Sequence, residues 1–238
     1  MTNPAGNLPS PPSPPSPPTT APPLIAVDFD GTITVEDITN IIWDTHVPFD
    51  WRAVLMPSSR AGTVTPLELI GNGYREVAAG PDALLAEVRP RAHLRSGFEG
   101  LVERARARGW PLQVVSHGLA FYLRALLPPG VPFTAFEGTF EPAPGAPPDA
   151  RRWRVSLPPG FSLPAGRDFK VQVLDQLRAR HPGHRAIYIG DGRLDFPAAR
   201  QADAVFAVRD STLARLCREA SVPCTEFDSF DQVRDALG

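Results

Sequence analysis

Three short apolar runs in this chain each stop at a polar cluster, and that pattern constrains the fold more than any other feature. The run 24–27, Leu-Ile-Ala-Val, leads into Asp28-Phe29-Asp30-Gly31-Thr32. The run 111–115 leads into Ser116-His117-Gly118, and the run 185–189 leads into Gly190-Asp191-Gly192-Arg193-Leu194-Asp195. Short apolar runs bounded by turn residues read as buried strands. Helical patterns fall between them, at 33–43, at 96–108 (closed by Gly109), at 119–127 (stopped by Pro128-Pro129-Gly130) and at 169–180. Residues 204–208 read as a further strand, with helices at 197–201, 212–220 and 232–237. Strand alternating with helix implies an α/β protein with a doubly wound, Rossmann-like, mostly parallel sheet. In such a sheet the C-terminal ends of the strands share one edge, and that edge carries the site.

The residues at those strand ends define a chemistry. Asp28 and Asp30 are two apart, so on an extended chain their side chains point the same way. Carboxylates that close repel unless a cation sits between them or one holds a proton. Gly31 permits a tight turn, and Thr32 adds a hydroxyl and an N–H for an anion. The set suits an aspartyl nucleophile with a second Asp as acid/base partner. Lys and Arg together total 24, and Lys170 is the one lysine. In a chain that otherwise uses Arg, a compact ammonium marks a place where a wide planar fork would not serve. Lys170 opens the helix that precedes the strand ending at Asp191.

A length of 238 residues suffices for a full α/β core with one inserted module. Residues 1–23 are dominated by Pro, Ser, Thr, Asn and Ala, and the Pro-Pro-Ser repeats from Pro11 to Pro18 predict a disordered or polyproline-II tail. Residues 24–43 and 92–238 are assigned to the core. Residues 44–91 hold no strong strand but have helical stretches at 66–70 and 81–88, each with Pro in its first turn. They are assigned to a small helical cap inserted after the first strand. Short strands at 133–140 and 153–157 flank a Pro- and Gly-rich loop, a β-hairpin ahead of Lys170. A net charge of −2, with 42% hydrophobic and 21% charged residues, is ordinary for a soluble globular protein and leaves no basic footprint for nucleic acid. No apolar run is long enough to span a bilayer, and no secretory signal is visible. Cys217 and Cys224 lack zinc-site spacing and read as buried thiols, which suits a reducing cytoplasm. The partners this allows are small molecules rather than nucleic acid or membrane. Oligomeric state is not encoded legibly.

DFDGT, the strand ending in Ser116, Lys170 and GDGRLD, in that order, resemble the four motifs of the haloacid dehalogenase superfamily of phosphotransferases. The resemblance runs from about residue 24 to the C-terminus. It implies that Asp28 attacks phosphorus and becomes an aspartyl phosphate, while Asp30 protonates the leaving alkoxide and then activates water. It implies Mg²⁺ held by Asp28, Asp191, the main-chain carbonyl of Asp30, and Asp195, which either ligates or orients Lys170. Gly31, Thr32, Ser116, His117 and Gly118 would meet the phosphoryl oxygens, His117 through its backbone N–H, and Lys170 would neutralise the nucleophile and the phosphoryl charge. The presence of Asp30 favours ester hydrolysis over dehalogenation, since a halide leaves without a proton. A Mg²⁺-dependent phosphatase acting on a small phosphorylated metabolite is the reading that follows. A phosphomutase, which keeps both Asp residues, and a non-catalytic phosphometabolite binder are the alternatives.

The helical insertion resembles the cap of the phosphoserine-phosphatase-like branch. In that branch the position of Asp37 holds an acidic residue that contacts substrate; charge at a helix N-terminus is the competing account of Asp37. Arg60, Arg75 and Arg193 are further substrate candidates. Trp43 and Trp51 either line an apolar substrate pocket or fill the core of the cap. The DFDGTIT opening, the hairpin, and the stretches 202–207, 217–219 and 227–230 resemble the methionine-salvage phosphatases that act on 2-hydroxy-3-keto-5-methylthiopentenyl-1-phosphate. Phosphoserine or another small phosphomonoester is the alternative substrate. Two departures from that pattern are a Pro-rich hairpin without the cysteines of some relatives, and His117 where a small residue or an amide is expected.

Overall fold

β1 (Pro23–Val27) is buried at every residue, as a strand covered on both faces must be. Pro23 is tolerated as its first residue, where the missing N–H costs least. The structure is a computed structural model describing residues 21–143, 145 and 150–238, so the predicted tail lies outside the described residues up to position 20. After β1 the chain turns tightly through residues 29–33, with Gly31 at φ 77°. α1 (Ile38–His46) starts where the Asp37 side chain accepts from the Asn40 N–H at 2.8 Å. The predicted start at 33 fails because Thr34 is extended and residues 33–35 pair with residues 93–95, the Val35 N–H donating to the His93 carbonyl and the Arg95 N–H to the Ile33 carbonyl.

The short helices α2 (Trp51–Val54) and α3 (Met56–Arg60) are too brief to show a period and were not expected. α4 (Pro66–Arg75) opens on a Thr65/Glu68 capping box with Pro at its start, and runs past the predicted end at 70 despite two glycines. Gly73 is needed there: a Cβ would overlap the Trp43 indole. α5 (Pro81–Val88) matches its prediction. α6 (Phe98–Arg108) ends at Gly109, at φ 63°.

β2 (Leu112–Leu119) continues past Val115, with a register shift between Ser116 and Leu119. α7 (Ala120–Leu126) leads to β3 (Phe133–Pro142) and β4 (Arg151–Ser156). β3 does two jobs. Its first half pairs parallel with β2, and its second half pairs antiparallel with β4 as the hairpin. Trp153 of β4 donates its Nε1–H to the Ala79 carbonyl at 2.9 Å and packs edge-on against Tyr74, which ties the hairpin to the segment carrying α4 and α5.

α8 (Phe169–Arg180) has the predicted bounds. β5 (Arg185–Gly190) leads through a turn at 193–195 into α9 (Phe196–Ala199), followed by β6 (Ala204–Val208) and α10 (Thr212–Glu219). β7 (Thr225–Phe227) was not expected, and α11 (Phe230–Leu237) closes the chain. The sheet order is β4-β3-β2-β1-β5-β6-β7, parallel except for β4. Connections step from β1 toward β3 and later from β5 toward β7, so right-handed crossovers place the two sets of helices on opposite faces. α6 packs with α11, and α8, α9 and α10 pack together. Cys217 is buried, Cys224 is half-buried, and both are free. Among the described residues no helix is long and apolar enough to cross a membrane.

Candidate active site

β1 lies where the connections change direction, and its C-terminal end opens into a cleft of about 310 Å³. The strand hands over to the site without a break: the Asp28 N–H still donates to the Ile189 carbonyl of β5 at 2.9 Å. Asp28 is 6% exposed and Lys170 3%. Lys170, in the first turn of α8, donates to Asp28 Oδ1 at 2.5 Å and to Asp195 Oδ1 at 2.6 Å. Asp195 has no oxygen to spare. Oδ1 also accepts from the Tyr188 hydroxyl at 2.7 Å, and Oδ2 accepts from the N–H groups of Asp191 and Gly192 at 3.1 and 2.7 Å. It fixes both the lysine and the turn that carries Asp191.

Carboxylate oxygens of Asp28, Asp191 and Asp195 all lie within 4.8 Å of one another. One buried ammonium serves all three. Burial opposes the charge on Lys170, but Asp195 and Asp28 outweigh it and hold its pKa above the usual lysine range. The negative charge that remains is uncompensated. Burial, with Asp195 and then Asp191 against Lys170, drives the Asp28 carboxyl well above the carboxylate range. Burial, then Asp195, pushes Asp191 up to about 7. Asp28 Oδ2 and Asp191 Oδ2 receive no hydrogen bond among the described residues. A hard divalent cation with oxygen ligands fits this set, because it supplies the missing charge to two oxygens that have no donor. Gly31 keeps Asp191 in place by having no side chain: a Cβ there would stand 2.7 Å from Asp191 Oδ2.

Asp30 faces away from this group. Its Oδ1 accepts from the Ile38 N–H at 3.1 Å, and its Oδ2 from the Ser116 and Tyr122 hydroxyls at 3.2 and 2.9 Å. Burial, then Asp37, pushes its pKa up to about 7 against those three donors. An acid/base group that must change protonation near neutrality is served by such a value.

Asp30, Asp37, Ser116, His117, Gly118, Lys170, Asp191, Arg193 and Asp195 all border the cleft with Asp28, and so does Arg60 from α3. Trp43, Trp51, Met56, Leu69 and Ile70 of α1 to α4 give the cleft an apolar stretch of lining, with Asn40 and Arg52 among them. Arg52 pairs with Asp44 and lies over the Trp51 ring, 4.1 Å from its centroid. His117 is buried between Phe136 and Phe169, and burial, then Lys170, pushes its pKa well below the usual value, so it is neutral.

Several expectations differ from this geometry. Thr32 is fully buried, does not border the cleft, and donates its hydroxyl to Asp191 Oδ1 at 2.8 Å instead of offering it to an anion. The Gly31 N–H is turned back to the Glu36 carbonyl at 3.2 Å by the left-handed turn. Arg75 is exposed, donates to Asn72, and does not border the cleft. Residues outside every motif support the site from behind. Arg95 donates to the carbonyls of Gly31 and Thr32, both at 2.9 Å, and locks the turn after Asp28. Tyr122 and Tyr188 are the other two, each a buried hydroxyl aimed at a carboxylate.

A doubly wound sheet with a nucleophile-type Asp, a second Asp and a buried lysine at its central strand ends defines an α/β enzyme that works through carboxylates. The model of the haloacid dehalogenase-like hydrolases matches residues 25–200. The chain belongs to that family. It is 32% identical over 221 residues to the 2-hydroxy-3-keto-5-methylthiopentenyl-1-phosphate phosphatase of Geobacillus kaustophilus, covering 88% of this chain and 93% of that protein. It is 28% identical over 225 residues to the polyol phosphate phosphatase of Saccharomyces cerevisiae, covering 88% and 90%. A phosphoserine phosphatase structure, solved as a phospho-aspartyl intermediate analogue, superposes with a TM-score of 0.68 at 14% identity, over 92% of this chain and all of that one. The chain is a hydrolase of the phosphoric monoester class.

Proposed function

We propose that the protein is a Mg²⁺-dependent phosphatase that hydrolyses a small phosphate ester through an aspartyl phosphate on Asp28. The observation that carries this is the buried Lys170 bridge between Asp28 and Asp195, set beside an Asp30 whose pKa lies near 7. Asp28 and Asp191 would hold the metal with the main-chain carbonyl of Asp30, and Asp195 would orient Lys170 and the Asp191 turn. Bound there, Mg²⁺ would neutralise the clustered carboxylates and the incoming phosphate.

The residues perform the rest. One carboxylate oxygen of Asp28 attacks phosphorus, the bond to the leaving oxygen breaks, and that oxygen takes its electron pair and the Asp30 proton. Asp30, now a carboxylate, takes a proton from water as the water oxygen bonds to phosphorus and the bond to Asp28 breaks. Lys170 holds the attacking carboxylate in place and balances the phosphoryl charge. Ser116 and the His117 backbone N–H are assigned to the phosphoryl oxygens; the Gly118 N–H, expected to join them, donates instead to Ser116 Oγ at 2.8 Å. The helical segment 44–91 acts as the cap, and Asp37, Arg60 and Arg193 meet the remainder of the substrate.

The apolar lining from Trp43, Trp51, Met56, Leu69 and Ile70 favours a phosphate ester with an apolar far end, of which 2-hydroxy-3-keto-5-methylthiopentenyl-1-phosphate is the instance. The polar groups Asp37, Asn40 and Arg60 support a second reading, a polyol phosphate. The test is phosphate release with Mg²⁺ from the methylthio ester, a polyol phosphate and phosphoserine, with Asp28→Asn as control. The expected result is highest kcat/KM on the methylthio ester, with release abolished by the substitution and by chelation. Release that survives Asp28→Asn rules out the aspartyl phosphate route.

A further inference from the structure

We propose that Tyr122 is the positioning residue that holds the Asp30 carboxyl in its working orientation, and that Thr39 holds Tyr122 in turn. The inference rests on the phosphatase reading above. The three donors to Asp30 are not equivalent. Ser116 borders the cleft and is assigned to the phosphoryl group, so its hydroxyl has two claimants. The Ile38 N–H lies in the first turn of α1 and reaches only Oδ1. Tyr122 is fully buried and does not border the cleft, so no ligand there competes for its hydroxyl.

Two further observations point to a built arrangement. With Tyr122 donating to Asp30, the Thr39 hydroxyl at 3.1 Å is the donor to the Tyr122 oxygen. Thr39 belongs to α1 and itself borders the cleft, beside Asn40 and Trp43 of the same helix and Asp37 at its N-cap. The second observation is Gly118. A Cβ at that position would stand 2.5 Å from Asp30 Oδ2 and overlap the Tyr122 hydroxyl. Tyr122 reaches Asp30 only because residue 118 has no side chain. Asp30 gives a proton to the leaving oxygen in one step and takes one from water in the next. Both transfers need the carboxyl in one direction and at hydrogen-bond distance. A donor that neither substrate nor phosphate displaces keeps it there through both.

The experiment is single-turnover release of the phenol from p-nitrophenyl phosphate and from phenyl phosphate, by the full chain with Mg²⁺. Wild type is compared with Tyr122→Phe and Thr39→Val. p-Nitrophenolate leaves without a proton, whereas phenolate, with a pKa of about 10 like a tyrosine side chain, requires one near neutral pH. Tyr122→Phe is expected to lose about tenfold or more on phenyl phosphate and less than about threefold on p-nitrophenyl phosphate, with KM little changed. Thr39→Val is expected to show a smaller loss with the same selectivity. An equal loss on both esters, which a purely structural tyrosine would give, or no loss on either, overturns the proposal. Should the thermal transition show Tyr122→Phe unfolded, Thr39→Val decides by the same ratio. A wild type that releases neither phenol overturns the phosphatase reading and this one with it; an active wild type with uniform loss overturns only the role of Tyr122.

Discussion

At the residue scale the site is a problem of surplus negative charge. Asp191 shows this best, because its carboxyl is half-buried beside Asp195 and the nearby ammonium of Lys170 is already bound to Asp28 and Asp195. Without metal the folded protein keeps a proton on Asp191 up to about pH 7, whereas an ordinary Asp releases it near 3.8. Between these values the folded state binds the extra proton, so this residue's share of stability falls as pH rises. Asp191→Asn keeps an acceptor for Thr32 and removes the charge. In chelator, the variant is expected to gain on wild type steadily from about pH 4 to about pH 7 and then to level off. Denaturant midpoints across that range check it, and a gap that is flat or narrows with pH contradicts it. The residues with charge were legible in the sequence because short motifs at strand ends announce them. The hydroxyls of Tyr122 and Tyr188 and the Arg95 guanidinium were not: Tyr122 and Arg95 act across long stretches of chain, and Tyr188 lies inside an apolar strand run that hides its hydroxyl's partner. Thr32 was noticed for the right motif and the wrong partner: whether a hydroxyl faces a ligand or a neighbouring carboxylate depends on a turn whose handedness the motif alone does not specify.

At the element scale the hairpin is a brace. β3 leaves the parallel sheet and pairs with β4, and Trp153 of β4 touches Tyr74, Phe121 and Phe140 while donating to Ala79. The cleft-lining residues of α2, α3 and α4 therefore depend on a strand pair that contributes no residue to the cleft. Trp153→Ala removes a large buried ring and a satisfied hydrogen bond, and is expected to cost about 3–5 kcal/mol. Residues 51–80 should become sensitive to limited proteolysis before the sheet does; simultaneous cleavage of both would show that the brace is not local. The long elements were readable from period and punctuation, and α5, α8 and β6 kept their predicted bounds. The misses were short or tied to one contact. α2, α3 and β7 span too few residues to show a period, and α4 runs through two glycines because one of them makes room for Trp43.

For the whole molecule, on the proposed reading, metal and protons would compete for the same oxygens. Mg²⁺ held by Asp28 and Asp191 would require both ionised, while burial and mutual repulsion favour their protonated forms. The rise in Tm on adding Mg²⁺ is therefore expected to be larger at pH 8 than at pH 5.5, and an equal rise at both would remove these carboxylates from the metal site. The sheet order has a consequence of another kind. β1 takes Leu112 and its neighbours on one side, but its other edge waits for Ala186, opposite Leu24. During synthesis the strand that leads into Asp28 spends roughly ten to thirty seconds with that edge unpaired, at ordinary ribosomal speeds. The nascent chain thus carries a wholly apolar strand with an unpaired edge through most of its own translation, an interval in which that edge is open to pairing with another chain.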